Sequence, residues 1–247
     1  MNTWLQKIPG EINAFTLKSI AIIGMTLDHI GVVFSDQLSL WAETALYALG
    51  GLTFPIMAFL LVEGYRNTSN FNRYAWRLLL FALIATGPFM WAFRLSMLNI
   101  LFTLLIGLIT LYLYDHVKKR VTFWLVFAGL TLVTVVMDWG LMGVPMILLY
   151  YIIGDKWKRL IIPILIPFGM ELINLLVAYL APSVSVTEVI PRIAFVAVGC
   201  SLTIPLLARY NGQRGRSSKY LFYLFYPGHL LMLALIRGLL LSDWSLF

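Results

Sequence analysis

The chain has 247 residues, of which 61% are hydrophobic and 12% charged, with a mean hydropathy of +0.88. A soluble domain of this length carries about twice that charged fraction, so the composition excludes an ordinary soluble enzyme and points to one integral membrane domain over residues 1–247. The single cysteine, Cys200, excludes a disulfide framework and a cysteine metal site.

Apolar runs near the ~20 residues needed to cross a ~30 Å hydrocarbon layer recur along the whole sequence. They predict an all-α transmembrane bundle of about nine spans, with eight and ten as the alternatives. The segments are 16–34, 43–62, 75–93, 98–115, 121–137, 140–154, 160–180, 189–208 and 220–241. Helices are required because backbone exposed to lipid must satisfy its own hydrogen bonds. The stretch before the first span lacks the short apolar core and small-residue cleavage site of a signal peptide, so that span is expected to be retained.

The first span carries Asp28 and His29 side by side. Charge at mid-membrane costs a few kcal/mol on insertion scales (about 3 for Asp) and marks sites of chemistry. The two residues sit about 100° apart around a helix, so separate jobs are expected: His29 as a base, Asp28 as a support. The bland alternative is a polar pair that only bonds neighbouring helices. Glu63 and Arg66, three apart at the end of the second span, can pair on the helix surface. Arg73 and Arg77, four apart, share one face at the start of the third, and planar guanidinium groups suit phosphate recognition. Simple anchoring at the interface would also explain either arginine alone.

Asn99 opens the fourth span, where an amide joins helices by hydrogen bonding. Asp138 lies between the fifth and sixth spans, where Gly140 and Gly143 permit an irregular turn and Pro145 a bend. Glu171 and Asn174 share a face of the seventh span, and their cost in lipid predicts that they face the bundle interior. Tyr223, Tyr226 and His229 fall in the last span, around Pro227. Asn99, Asp138, Glu171, Tyr226 and His229 are the candidates for lining an acceptor cavity. His116 and Cys200 read as a solvated residue and a packing residue. No Walker loop, dinucleotide fingerprint, serine elbow or metal motif occurs, and no metal is expected.

The basic residues set the expected topology. In a nine-span arrangement 15 of the 18 Lys and Arg residues fall on one side, from Lys7 and Lys18 to Arg216 and Lys219. Only Arg94, Arg192 and Arg237 fall towards the other. Cytoplasmic loops carry the Lys/Arg excess, so the N-terminus is expected in the cytoplasm. The net charge of +7 is then topological, and no nucleic-acid partner is expected. A bacterial cytoplasmic membrane suits a multi-pass helical chain, since outer membranes favour β-barrels.

Several blocks, in order, resemble the TraX family: LKSIAIIGMTLDHIG, GGLTFPIMAFLLVEGYRNT, RYAWRLLLFALIATGPF, NILFTLLIGL, DWGLMGVP and FYLFYPGHLLMLAL. TraX proteins are membrane proteins associated with N-terminal acetylation of conjugative pilin. The chain is also distantly similar to the acyltransferase-3 membrane family, which pairs a histidine in its first membrane helix with arginines at the cytoplasmic start of its third; His29 and Arg73/Arg77 match those positions. The resemblance implies an acetyltransferase that takes acetyl-CoA from the cytoplasm. His29 would be the base, with Asp28 in support, and Arg73, Arg77, Glu63 and Arg66 would hold the donor. The acceptor would be a membrane-associated amine, on a peptide, lipoprotein or pilin-like N-terminus. Three rivals stay open: an O-acetyltransferase of an envelope glycan or lipid, a proton-coupled transporter using Asp28, Glu171 and His229, and a non-enzymatic conjugation or secretion component.

Overall fold

A computed structural model describes residues 11–180, 186–216, 219–242 and 244. Lys7 and residues 181–185, between the seventh and eighth expected segments, lie outside them. Twelve α-helices form among the described residues, and no strand. They are α1 (Ala14–Val33), α2 (Leu40–Gly50), α3 (Thr53–Arg66), α4 (Phe71–Phe93), α5 (Ile100–His116), α6 (Arg120–Val133), α7 (Gly140–Ile152), α8 (Lys156–Ile161), α9 (Leu165–Leu180), α10 (Val186–Ala194), α11 (Ser201–Ala208) and α12 (Lys219–Leu241). Six stretches are long and apolar enough to cross a membrane: Ala14–Val33, Leu40–Arg66, Phe71–Phe93, Lys156–Leu180, Val189–Ala208 and Phe222–Leu241. Three shorter apolar helical stretches, Ile100–His116, Arg120–Val136 and Gly140–Ile152, complete the set. Each of the nine apolar segments read from the sequence is therefore helical.

Local chemistry explains where the helices begin. A side-chain oxygen at the N-cap takes one of the first backbone N–H groups, which have no partner within the helix. Asn13 accepts from Thr16 N at 3.0 Å, Ser39 from Ala42 N at 3.3 Å, Asn70 from Arg73 N at 2.8 Å and Asp155 from Lys158 N at 2.8 Å. The second apolar segment, drawn from residue 43, begins earlier as a helix, because Ser39 caps α2 at Leu40.

The chain divides into two compact units. The first comprises Met1–Met57 and Asp155–Phe222, the second Ala58–Gly154 and Tyr223–Phe247. In the first, α1 packs on α2, and α2 packs on α10 and on a single π turn at Phe195–Cys200. That crossing needs glycine: a Cβ on Gly51 would run into the Phe195 carbonyl, and one on Gly199 would approach the Ala48 carbonyl oxygen to 2.5 Å. Small residues let backbones meet this closely where lipid offers no hydrophobic drive to association. Cys200, fully buried, points its Sγ at Gly51 O, 3.3 Å away, so its role in packing is as expected.

In the second unit α5 is the central helix, packed by α4, α6 and α7. α5 buries Leu104, Leu108 and Leu111, and α7, packed on it, buries Val144, Ile147 and Leu148. The segments before α5 and α7 are joined by a parallel bridge between Leu98 and Met137.

Candidate functional site

Asp28 and His29 have the divergent settings that their spacing predicts. Asp28 is half-buried, with its side chain against the α-carbon side of Gly50 in α2, where any added Cβ would collide with it. His29 is buried, at 7% exposure, although it lies in an apolar helix with no charged neighbour in sequence but Asp28. Around Asp28 the first unit gathers further polar groups: the charges of Asp28, Glu43 and Arg192 all act on the Tyr47 ring hydroxyl. Glu43 and Tyr47 come from α2 and Arg192 from α10, so three helices contribute.

Glu171 and Asn174 depart from expectation. Asn174 is exposed and Glu171 half-buried, and Asn174 Nδ2 donates to Glu171 Oε2 at 3.2 Å. The interior placement inferred from their cost in lipid is thus corrected. The two residues meet part of that cost by bonding each other on the outward face of α9.

The remaining candidates belong to the second unit. Glu63 is buried, and Arg66 Nη1 reaches its Oε1 at 3.5 Å, the expected ion pair. Arg66 does more than the sequence suggests: Nη2 donates to Tyr151 O at 2.8 Å, and the guanidinium lies 5.3 Å from the Tyr151 ring centre. Beside it, Asp115 accepts from Tyr65 Oη at 2.7 Å and from Tyr151 Oη at 2.8 and 2.7 Å. This knot ties the ends of α3, α5 and α7. The sequence reading passed over Asp115, whose neighbour His116 alone was weighed, as a solvated residue.

Arg73 and Arg77 share a face of α4 but not an environment. Arg73 is exposed. Arg77 is half-buried, donates to the Tyr223 hydroxyl and lies 5.5 Å from the Tyr74 ring centre. Its Nε makes no hydrogen bond among the described residues. Arg73 is therefore the exposed cation of the two, and Arg77 the one braced by Tyr74 and Tyr223.

Asn99 is fully buried and uses both ends of its amide. Oδ1 accepts from Leu101 N at 3.1 Å, capping α5, and Nδ2 donates to Ala82 O of α4 at 2.8 Å. That is the helix-joining role its residue type suggested. His229 is buried in α12, with Nδ1 2.9 Å from Phe225 O of its own helix. Its ring lies 5.7 Å from that of Tyr226, which is also buried.

Asp138 occupies the turn between α6 and α7. Trp139, which follows it, has φ +61°, and Gly140 has φ +23°. A bulky side chain in this left-handed region is an outlier costing about 1–3 kcal/mol. The turn is held in place by many bonds. Asp138 N donates to Leu98 O at 2.8 Å and Leu98 N to Val136 O at 3.0 Å. Thr103 Oγ1 donates to Asp138 O at 2.5 Å, and Thr134 Oγ1 to Gly140 O at 2.8 Å. Burial pushes the Asp138 carboxyl up to about 6, against the smaller opposing pull of the Trp139 N–H.

Arg237 was read from the sequence only as a topology marker. It is buried in α12 and caps the end of α4, with Nη1 donating to Ala92 O at 2.8 Å and Nη2 to Trp91 O at 3.0 Å. A lone cation in the apolar run ALIRGLLL was the signal, because such a charge must find partners. The last carbonyls of a helix are suitable ones, carrying partial negative charge and lacking intrahelical donors. Among the described residues no group of three or more His, Cys, Asp or Glu side chains could hold a metal ion.

Six helical stretches of membrane-crossing length and apolar composition define a helical membrane protein. Within that class the chain belongs to the TraX family, whose model, described as TraX protein, matches residues 14–237. It is 31% identical over 244 residues to a probable fimbrial assembly protein FimC, serogroup H1, of Dichelobacter nodosus, covering 90% of this chain and 95% of that protein. No solved structure matches.

Proposed function

We propose that the protein is a multi-pass acetyltransferase of the bacterial cytoplasmic membrane that moves an acetyl group from cytoplasmic acetyl-CoA to an amine of a membrane-associated acceptor. The observation that carries this reading is His29, a titratable base buried in an apolar helix where its placement is costly. Family membership and the fimbrial relative support a pilin-like or lipoprotein N-terminus as the acceptor. The one-sided distribution of Lys and Arg supports an N-terminus in the cytoplasm, where acetyl-CoA is available.

The amine nitrogen attacks the thioester carbonyl carbon. His29 takes the proton the nitrogen sheds, the C–S bond breaks, and the proton passes to the leaving CoA thiolate. Asp28 supports the histidine. Arg73 and Arg77 contact the donor's phosphates, Arg73 being exposed and Arg77 keeping an unbonded Nε. Glu63 and Arg66 are assigned to the same donor-binding set. His29→Ala, checked for insertion and folding, is expected to abolish acetyl-CoA consumption by purified protein together with acetylation of the acceptor. Full activity in that variant would remove His29 from the mechanism.

One second reading has an observation of its own. The relative is named for fimbrial assembly, which favours a non-enzymatic assembly component. Wild-type protein that consumes no acetyl-CoA and leaves every envelope peptide, lipoprotein and glycan unacetylated, while supporting fimbrial assembly, would decide for it.

A further inference from the structure

Where α4 begins and α5 ends, aromatic rings lie face to face. Phe71, the first residue of α4, stacks on Tyr112 of α5 with ring centres 4.3 Å apart and planes at 27°. Tyr112 stacks in turn on His116, the last residue of α5, at 3.9 Å and 20°. Both neighbours press on the same phenol ring, so Tyr112 lies between them and the stack ends in the imidazole. His116 Nδ1 donates to Tyr112 O at 2.7 Å, which holds the imidazole in that plane. The residue is exposed, and among the described residues Tyr112 is the ring that covers it. A stack that served only to join α4 to α5 would be complete at Phe71 and Tyr112. Ordering a further ring at the surface costs side-chain entropy.

The turn that follows the open face is basic. Lys118, Lys119 and Arg120 come directly after Val117 and are all exposed, Arg120 lying 4.6 Å from the Tyr114 ring centre. Arg73, also exposed, belongs to the same first turn of α4 as Phe71. Asp115, the acid beside His116 in sequence, is turned to the hydroxyls of Tyr65 and Tyr151. A flat ring open on one face, with cations next to it, matches what a nucleotide offers. Its base stacks on aromatic side chains, histidine included, and its phosphates take cationic donors.

We propose that the exposed face of His116 is a stacking platform for the adenine ring of a phosphorylated nucleotide, with Lys118 and Lys119 on its phosphates. The identity of that nucleotide rests on the acetyltransferase reading: it is the adenosine end of acetyl-CoA. Coenzyme A carries a diphosphate and a separate phosphate on its ribose, enough for both the Arg73 face and this turn. The Lys/Arg rule assigns such a turn to the cytoplasm, where acetyl-CoA is available. The platform lies wholly within the second unit.

Fluorescence titration of the full chain in detergent with the etheno-adenine analogue of CoA tests it, because that base is quenched when it stacks. Wild type is expected to bind and quench the analogue, and unlabelled CoA to displace it. His116→Ala should weaken binding about tenfold, the scale of one lost base–aromatic stack, and remove most of the quenching. His116→Phe keeps a ring and should restore both, which a merely structural histidine would not explain. If His116→Ala folds poorly, His116→Gln takes its place, since it keeps a donor for Tyr112 O without a ring. Lys118→Ala combined with Lys119→Ala should weaken binding and flatten its salt dependence while leaving bound analogue quenched. Wild-type protein that binds the analogue unquenched or not at all, or a ring-free variant with unchanged affinity, overturns the platform. Etheno-ADP binding as tightly as the CoA analogue overturns the assignment to the donor in favour of a free nucleotide. The two readings fail separately. Quenched binding without acetyl-CoA consumption defeats acetyl transfer and leaves the platform standing. An unchanged KM for acetyl-CoA in His116→Ala defeats the platform and leaves acetyl transfer standing.

Discussion

The two units are held together by different means. The first closes on backbone contact: α2 meets the π turn through Gly51 and Gly199, with no room for a side chain between them. The second closes on polar side chains that reach backbone across helices, with Asn99 on Ala82, Thr103 on Asp138 and Arg237 on Ala92 and Trp91. In a membrane both devices answer one need. Apolar surface alone does not drive helices together in lipid, so either close backbone packing or hydrogen bonds must. The contrast teaches that polar residues here divide by surroundings: those of the second unit are largely spent on structure, whereas His29 sits in a unit that is locked by glycine.

Four measurements would sharpen or break that contrast. The largest effect is expected from Gly51→Val or Gly199→Val, which force a side chain onto a facing carbonyl or α-carbon. Overpacking costs about 1–3 kcal/mol and more where backbone is the obstacle, so little folded protein should be recovered. Near-normal yield and melting of either variant would show that the crossing is loose. Arg237→Met should cost about 2 kcal/mol, the scale of hydrogen bonds to a charged group, read as a lower midpoint in denaturant. Arg237→Lys should recover part of it, since an ammonium can still reach a helix end. A neutral Arg237→Met would mean that the α4 terminus has other partners.

Asn99→Ala removes one cap and one interhelical bond, for about 1–2 kcal/mol. Acetyl transfer per folded molecule should be unchanged; a loss of turnover with stability intact would instead make the amide an acceptor ligand. The smallest effect is the pH dependence. Because burial raises Asp138 from 3.8 to about 6, the folded state binds more protons than the unfolded chain between those values. Stability therefore falls as pH rises through that window and levels off above it, by about 1 kcal/mol in all once solvent screening of this half-buried group is discounted. Thermal melts of wild type and Asp138→Asn across that range should differ in slope; parallel curves would show that the carboxyl is not shifted.

Much of this was legible in the residues. The apolar segments, the Glu63–Arg66 pair, the divergence of Asp28 from His29 and the helix-joining role of Asn99 all follow from spacing and residue type. Glu171 and Asn174 misled because the cost of a polar group in lipid is satisfied by any partner, and each found the other three residues away. Asp115 and Arg237 were under-read because their partners, Tyr65 and Tyr151 in one case and Ala92 and Trp91 in the other, lie far off in sequence.

By itself the sequence determined that this is a helical membrane protein of the TraX family, since hydropathy, the backbone's need for internal hydrogen bonds and the ordered blocks act through local composition and order. Only the tertiary structure decided which polar residues are spent on holding helices together and which stand as candidates for chemistry. That distinction depends on who meets whom: a carbonyl at the end of α4 for Arg237, a glycine backbone for Asp28, and the Ala82 carbonyl for Asn99.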